Sequence, residues 1–435
     1  MTLIKITGRR ITDYCTSLWT FLIGIVLVTS CNNSKEEKSA SVSSTNSATA
    51  EIALPTSFAA TIVADSLGAI RHLAVNKNGN IYVKLGALKD GKGIYYLTDT
   101  DHNGTFDKRT GFGNYPGTGI RIKGNALYAS SNSGVYKYQL NEAGEITDTG
   151  RVEIIVQGLV DRGRDNAKAL ALDENDNLFV AVGSYDETCM DASGHGIANC
   201  PLLDSVGGIW QFHTNKQNQR YSDAVHYARG LKNVVGLDWN EATHSLFATQ
   251  HGRGSLNAKF PKLFTAEQDK ALPAETMYEL HKGDDAGWPY VYYDPFQHKK
   301  IVAPEYGGDG KRSVEDKYID PVSAFPAHLA PNDLLFYTGT KFPARYKNGA
   351  FIVFHGQSQP LKKGYLVAFV PFKDGKPSGE WEVFADNFTG VDLSSPKSAF
   401  QHRPMGIAQG PDGALYVADD LKGTIFKITY QGNKK

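Results

Sequence analysis

Asp99, Asp101, Asn103 and Asp107 stand at positions 1, 3, 5 and 9 of a run whose sixth residue is Gly104. That is the spacing at which oxygen-bearing side chains wrap a calcium ion. Position 12 is Thr110, where a helix-loop-helix calcium site has a bidentate Glu. The run is therefore either a structural calcium loop completed from elsewhere or an Asp/Asn-rich turn, and neither is catalytic. Farther along stand Cys189 and Cys200, the cysteines left once Cys15 is assigned to an N-terminal signal and Cys31 to the residue that follows it. In an oxidising compartment such an isolated pair inside one polar loop predicts a disulfide, and two thiolates alone make a poor metal site.

The elements that must carry these residues repeat. An apolar stretch, a tight polar turn and a second apolar stretch recur at Leu73–Val83, Gly119–Ala129, Leu170–Val180, Val235–Ala248 and Gly406–Val417. A divergent sixth copy is Leu334–Tyr337 with Gly349–Phe354. Period-2 apolar runs joined by Asn-Gly or Asp-Gly are β-hairpins. After several copies comes a third or fourth strand, at Gly134–Leu140, Gly208–Phe212 and Gly423–Ile428. Six copies of unequal spacing predict an all-β, six-bladed β-propeller over residues 53–431, with a long insert from about 255 to 330 on the active face. A β-sandwich would use fewer strands and would not repeat.

Ahead of the propeller, Lys5, Arg9 and Arg10 precede an apolar run, Leu18–Val28, and then Val28-Thr29-Ser30-Cys31. Eleven residues fall short of the ~20 needed to span a bilayer, so residues 1–30 read as a signal peptide. A small-residue box closing on cysteine resembles the bacterial lipoprotein signal. Cys31 is then the lipidated first residue of a chain in the cell envelope, held to the membrane through that anchor only. Residues 31–52 are a polar tether with no large apolar anchor before the domain. The 46 Lys and Arg balance the 46 Asp and Glu, so no net field favours nucleic acid, and partners should be neutral or small.

Two further segments carry a family resemblance. Gly230-Leu231-Lys232-Asn233-Val234-Val235-Gly236-Leu237 and Gly283-Asp284-Asp285-Ala286-Gly287-Trp288-Pro289 resemble the G-x-(R/K)-N-x-x-G-L and G-x-x-x-G-W-P segments of the soluble quinoprotein glucose/sorbosone dehydrogenases. The similarity covers nearly all of residues 55–430 and is most specific there and at His402–Asp420. It implies the cofactors pyrroloquinoline quinone (PQQ) and calcium. It also implies that Lys232 and Asn233 contact the quinone, that Lys362 and Arg403 hold its carboxylates, and that backbone carbonyls of Gly252 and Arg253 bind the active-site calcium. Glu275 resembles the family's downstream acid, and His328 matches a segment common in sorbosone-type members. Where the family has H-x-x-R-x-L-A, with His as general base, this chain has Asp165-Asn166-Ala167-Lys168-Ala169-Leu170-Ala171, so the catalytic position reads Asp165. The first-blade position, Gly117-Thr118-Gly119, also departs from the pattern.

Each basic residue taken alone reads as a solvated blade edge; their order along the chain strengthens the joint case. Three functions follow. The first is a PQQ- and calcium-dependent dehydrogenase that oxidises a small sugar and passes electrons to an unspecified acceptor. The second is a catalytically silent propeller lipoprotein that binds a glycan or protein. The third, a calcium-dependent lactonase on a similar scaffold, needs converging acidic ligands that the sequence does not offer.

Overall fold

The computed structural model describes residues 51–432 except Glu315; the leader, Cys31 and nearly all of the tether lie outside them. Six antiparallel four-stranded sheets follow one another around an axis, giving the six-bladed β-propeller expected from the repeats. Blade 1 is Ile70–Val75, Ile81–Lys89, Lys92–Thr98 and Lys108–Phe112, and blade 2 is Ile120–Lys123, Ala126–Ser130, Gly134–Gln139 and Val152–Gln157. Blade 3 is Leu170–Leu172, Asn177–Val182, Gly208–His213 and Val225–Arg229, and blade 4 is Val234–Asn240, Ser245–Gln250, Glu275–Leu280 and Ser323–Phe325. Blade 5 is Pro331–Phe336, Ala350–Ser358, Lys363–Val370 and Glu382–Ala385. Blade 6 takes Pro404–Gln409, Leu415–Asp419 and Ile425–Tyr430 from the end of the chain and Phe58–Ala64 from its start, paired from Phe58 with Tyr430 to Ala64 with Ile425. The ring is thus closed by hydrogen bonds between the two ends of the domain, which leaves blade 6 no open inner-to-outer gap.

The core is a series of layers between blades. In blade 1, Ile81, Val83 and Leu85 face the layer shared with blade 6, while Tyr82 faces the layer shared with blade 2. Both faces of each middle strand are buried, so these strands are apolar almost throughout while retaining the period-2 partition of side chains. At Gly236 and Gly406 a Cβ would come within 2.3 Å of Thr249 Oγ1 and of the Arg71 carbonyl oxygen, so glycine lets the inner strands crowd round the axis.

One sequence boundary is revised. Residues 255–330 are not a single excursion, because Glu275–Leu280 pairs with Ser245–Gln250 and Ser323–Phe325 pairs with Glu275–Met277. The insert is two pieces, one bearing the short helices Leu256–Lys259 and Ala266–Ala271 and the other the hairpin Val291–Asp294 with Lys299–Val302. Asp284–Asp285 adds a parallel fifth strand to blade 3. The single strands were hidden because each lies between loops without a hairpin partner next to it in sequence. No helix among the described residues is long and apolar enough to cross a membrane.

Candidate active site at the channel mouth

Two sets of residues meet on one face of the propeller: those in the first residues of each inner strand or the loop entering it, and those in the later residues of each second strand or the loop following it. Arg71, Thr118, Ala167, Val235 and Asn332 come from the first set, and Gly86, Asn132, His251 and His355 from the second. With Asp165, Asn166 and Asn233 they line a cavity of about 390 Å³, within the range of small-molecule sites. Four of the six inner strands carry a register shift at their first residues, between Ile70 and Leu73, Val234 and Gly236, Pro331 and Asp333, and Pro404 and Gly406. Such bulges turn side chains out of the pleat. Here they aim Arg71, Val235 and Asn332 into the mouth.

One wall is a chain of paired charges. Arg403 grips Asp420 through Nε (2.8 Å) and Nη2 (2.9 Å), and Asp420 Oδ2 lies 2.9 Å from His355 Nε2. Burial pushes His355 down from the ordinary imidazole value, while its hydrogen bond and the Arg403 bonds hold Asp420 low. Asp420 is therefore ionised, His355 donates to it from Nε2, and Nδ1 is the ring nitrogen left to accept a proton. Buried Arg71 stands next to this group and bonds Thr118 Oγ1 at 3.2 Å. Burial lowers its pKa to about 10, so it stays cationic at neutral pH.

On the opposite wall Lys232 Nζ bonds Asp165 Oδ2 at 2.8 Å and stands 3.6 Å from Glu187 Oε1. Asn233 Nδ2 reaches Asp165 Oδ1 at 3.4 Å and His251 Nδ1 at 3.4 Å. Asp165 adopts φ 47°, a left-handed conformation that Asp tolerates better than most residues, which brings its carboxylate back over Lys232. Buried Lys168 supports the same loop by donating to the Asn166 carbonyl at 2.9 Å, and desolvation lowers its pKa to about 8. The His251 ring is locked by its 3.0 Å contact with the Pro331 carbonyl, and burial first, then Lys232, pushes it down to about 4, so it is neutral.

The sequence-derived residues divide. Asp165 and Asn233 line the cavity, Lys232 backs Asp165, and Arg403 holds Asp420 beside His355. Gly252 and Arg253 line instead a separate space of about 20 Å³ behind Lys232. The Gly252 N–H donates to Glu275 Oε2 at 2.7 Å, and Arg253 is paired with buried Glu305 at 2.6 Å. Glu275, its pKa raised by burial, also accepts from the Ala330 N–H and so ties two loops together. Lys362 sits on an exposed turn between Ala350–Ser358 and Lys363–Val370, and His328 Nε2 contacts the Asp269 carbonyl at 2.8 Å; neither lines the cavity. In the Asp99–Asp107 loop the carboxylates accept the loop's own amides, from Asn103 and Gly104 to Asp99 and from Thr100 to Asp107. Among the described residues no group of three or more His, Cys, Asp or Glu converges as a metal cage. Cys189 and Cys200 are disulfide-bonded.

Arg71, Asn332, His251, His355 and Asp420 had no assigned role in the sequence reading. The repeat phase locates several of them. Arg71 and Asn332 are two residues before Leu73 and Leu334, His355 directly follows the apolar run ending at Phe354, and His251 directly follows the second strand Ser245–Gln250.

The arrangement suits a flat, polyanionic, oxygen-rich group. Ala167, Val235 and Met405 pack together as an apolar patch at the mouth, and Arg71 and Arg403 bring positive charge to one side. The buried oxygens Asn233 Oδ1 and Asn332 Oδ1 have no hydrogen-bond partner, so the site retains acceptors suited to a hard cation or a donor.

The TrAA12-like family profile matches residues 52–431. A PQQ-dependent sugar dehydrogenase of Hypocrea jecorina is 23% identical over 411 residues, covering 84% of this chain and 86% of that protein. An uncharacterised protein of Borreliella burgdorferi is 24% identical over 374 residues, covering 83% and 86%. A calcium structure of the Trichoderma reesei carbohydrate-active enzyme of family AA12 superposes with TM-score 0.70 at 18% identity, over 87% of this chain and 97% of that one. The PQQ-bound aldose sugar dehydrogenase of Streptomyces coelicolor gives 0.53 at 15%, over 86% and 100%. The shared fold is therefore nearer the AA12 form than the aldose dehydrogenase form. With nearly the whole described domain inside the match, the chain belongs to the TrAA12-like family.

Proposed function

We propose that this protein is a PQQ- and calcium-dependent sugar dehydrogenase of the bacterial cell envelope. The observation that carries the reading is the channel-mouth cavity lined by His355, which is held in a histidine–carboxylate–arginine chain, and by Asn233 and Asn332, whose amide oxygens have no hydrogen-bond partner. Arg71, which lines the cavity, would offset the quinone's carboxylates, with Arg403 adding positive charge from behind Asp420, and Asn233 and Asn332 would offer amide oxygens to calcium. Quinone, when bound, would supply a two-electron acceptor for hydride, and calcium would supply Lewis-acid polarisation. His355 takes the sugar hydroxyl proton at Nδ1, Asp420 fixes the ring and offsets the imidazolium charge, and Arg403 fixes Asp420. Asp165 occupies the position of the related dehydrogenases' base, but Lys232 and Asn233 take its oxygens, so its role here is to anchor that wall. The lipoprotein box at Cys31 supports envelope location, with a separate electron acceptor reached from the same face.

Titration of the full chain with PQQ by calorimetry tests the reading. Binding is expected with calcium and not without it, followed by dye reduction over an aldose panel. Absence of quinone binding with calcium present would replace this reading with that of a glycan- or protein-binding propeller.

A further inference from the structure

A second cavity, of about 330 Å³, lies outside blade 3, lined by Tyr290, Tyr306 and Tyr318 together with Arg229, Asp285 and Lys317. Tyr290 and Tyr318 are nearly parallel, 11° apart with centroids separated by 6.5 Å, and Tyr306 stands edge-on to Tyr290 at 5.0 Å. The wall is braced. Tyr290 Oη accepts the Cys200 N–H at 2.9 Å beside the disulfide, Tyr306 Oη donates toward the Thr188 and Cys189 carbonyls at 3.1 Å, and Asp285 accepts the Gly287 N–H at 2.8 Å. Arg229 Nε is 3.2 Å from Asp285 Oδ2 and about half exposed, and Lys317 lies over the Tyr318 and Tyr290 rings at 5.1 and 5.9 Å. The Lys317 ammonium is hydrogen-bonded to the Tyr318 side chain and lies at the exposed edge of the cavity, where a ligand can also reach it.

We propose that this cavity is a second carbohydrate subsite that takes one pyranose unit of an oligosaccharide. A sugar ring presents C–H groups on its faces and hydroxyls round its edge. The tyrosine faces match the first, and a carboxylate flanked by a guanidinium and an ammonium matches vicinal hydroxyls, which both donate and accept. A peptide would need a longer groove, and a simple anion would not use three rings. The preformed wall reduces the ordering that binding would otherwise require. Asp285 packs against Gly230, where a Cβ would meet its Oδ1 at 2.2 Å, two residues before Lys232. Val291 lines both this cavity and the small space behind Lys232. The subsite therefore adjoins, through Val291, the small space behind Lys232. It does not depend on the dehydrogenase reading.

The full chain, free of quinone and calcium, is titrated calorimetrically with cellohexaose, maltohexaose and xylohexaose, each also against the Tyr318→Ala, Lys317→Ala and Val152→Ala variants, Val152 being an exposed residue of blade 2 that lines neither cavity. At least one hexasaccharide is expected to bind wild type, with loss of a stacked ring or the exposed ammonium weakening it about tenfold and Val152→Ala leaving it unchanged. Lys317 is exposed, so its variant folds, and thermal melts verify Tyr318→Ala. Binding of none of the three sugars by wild type, or equal binding by the Tyr318→Ala and Lys317→Ala variants, overturns the proposal.

Discussion

His355 is held by Asp420, which is held by Arg403, and this order assigns each a distinct consequence on removal. Replacing His355 with Asn keeps a polar side chain of similar reach but removes the proton acceptor. Turnover of sugar by the quinone-loaded protein should fall ~10²- to 10⁴-fold while the affinity for PQQ changes little. Because burial depresses the imidazole, the acid limb of kcat/KM should lie below the ~6.5 of a free histidine; a limb above that value would remove His355 from the role. Lys232 and Asp165 show why single-residue analogy misleads. The residue types stand where a quinone site needs them, yet each is the other's partner across a 67-residue separation that only the folded chain closes.

Loops between strands set the site, and two elements hold those loops and the ring that carries them. The Cys189–Cys200 bridge closes an eleven-residue step, and Trp288 Nε1 donates to the Glu187 carbonyl at 3.0 Å beside it. Changing both cysteines to Ser should lower unfolding stability by about 3 kcal/mol, read from urea melts, mainly by freeing the unfolded loop. The closing strand matters for a different reason. Phe58 packs edge-on against Phe342 at 4.8 Å, Phe384 at 5.1 Å and Tyr346 at 5.6 Å, so it pins the start of the domain into blades 5 and 6. Phe58→Ala should cost on the order of 3 kcal/mol and make the unfolding transition less cooperative by releasing that strand. A variant that melts with wild type would show that the other three strands of blade 6 suffice.

Across the whole molecule the inner strands enclose a polar channel beneath the cavity, and its groups titrate in opposite senses. Fully buried His72, 2.8 Å from the Asn332 carbonyl, is pushed by burial down to about 4, a shift that the charge of Asp333 resists and those of Arg121 and Arg71 reinforce. Buried Asp238, which accepts the Phe336 N–H at 2.8 Å, is pushed by burial up to about 6. The unfolded chain protonates His72 first, so acid costs stability as pH falls from 6.5 to 4. The folded chain protonates Asp238 first, so its stabilising effect is present at low pH and lost as pH rises from 3.8 to 6. Relative to wild type, His72→Gln should therefore gain stability on acidification through that window and Asp238→Asn should lose it, each by up to about 3 kcal/mol in denaturant titrations. At the cellular scale, Cys31→Ala should move the protein from the membrane to the soluble fraction; unchanged fractionation would count against lipid anchoring.

The blade hairpins were legible because each is local. Leu73–Val83 or Gly406–Val417 encodes its turn and its period-2 faces within a dozen residues. The single strands Phe58–Ala64, Glu275–Leu280 and Ser323–Phe325 were not, since each is completed by a partner supplied from another segment. The same contrast governs the site. Residue type and motif order were enough to bring Asp165, Lys232, Asn233 and Arg403 forward, because a charged residue at a blade edge can be seen in one segment. Whether such a residue faces a ligand or a countercharge depends on where the propeller's curvature and inner-strand bulges bring other blades. That geometry spent Lys232 on Asp165, turned Gly252 and Arg253 away from the large cavity, and brought His355 of blade 5 against Asp420 of blade 6. Local periodicity determines the elements; the long-range closure of the ring, set by packing between blades, determines the chemistry at its centre.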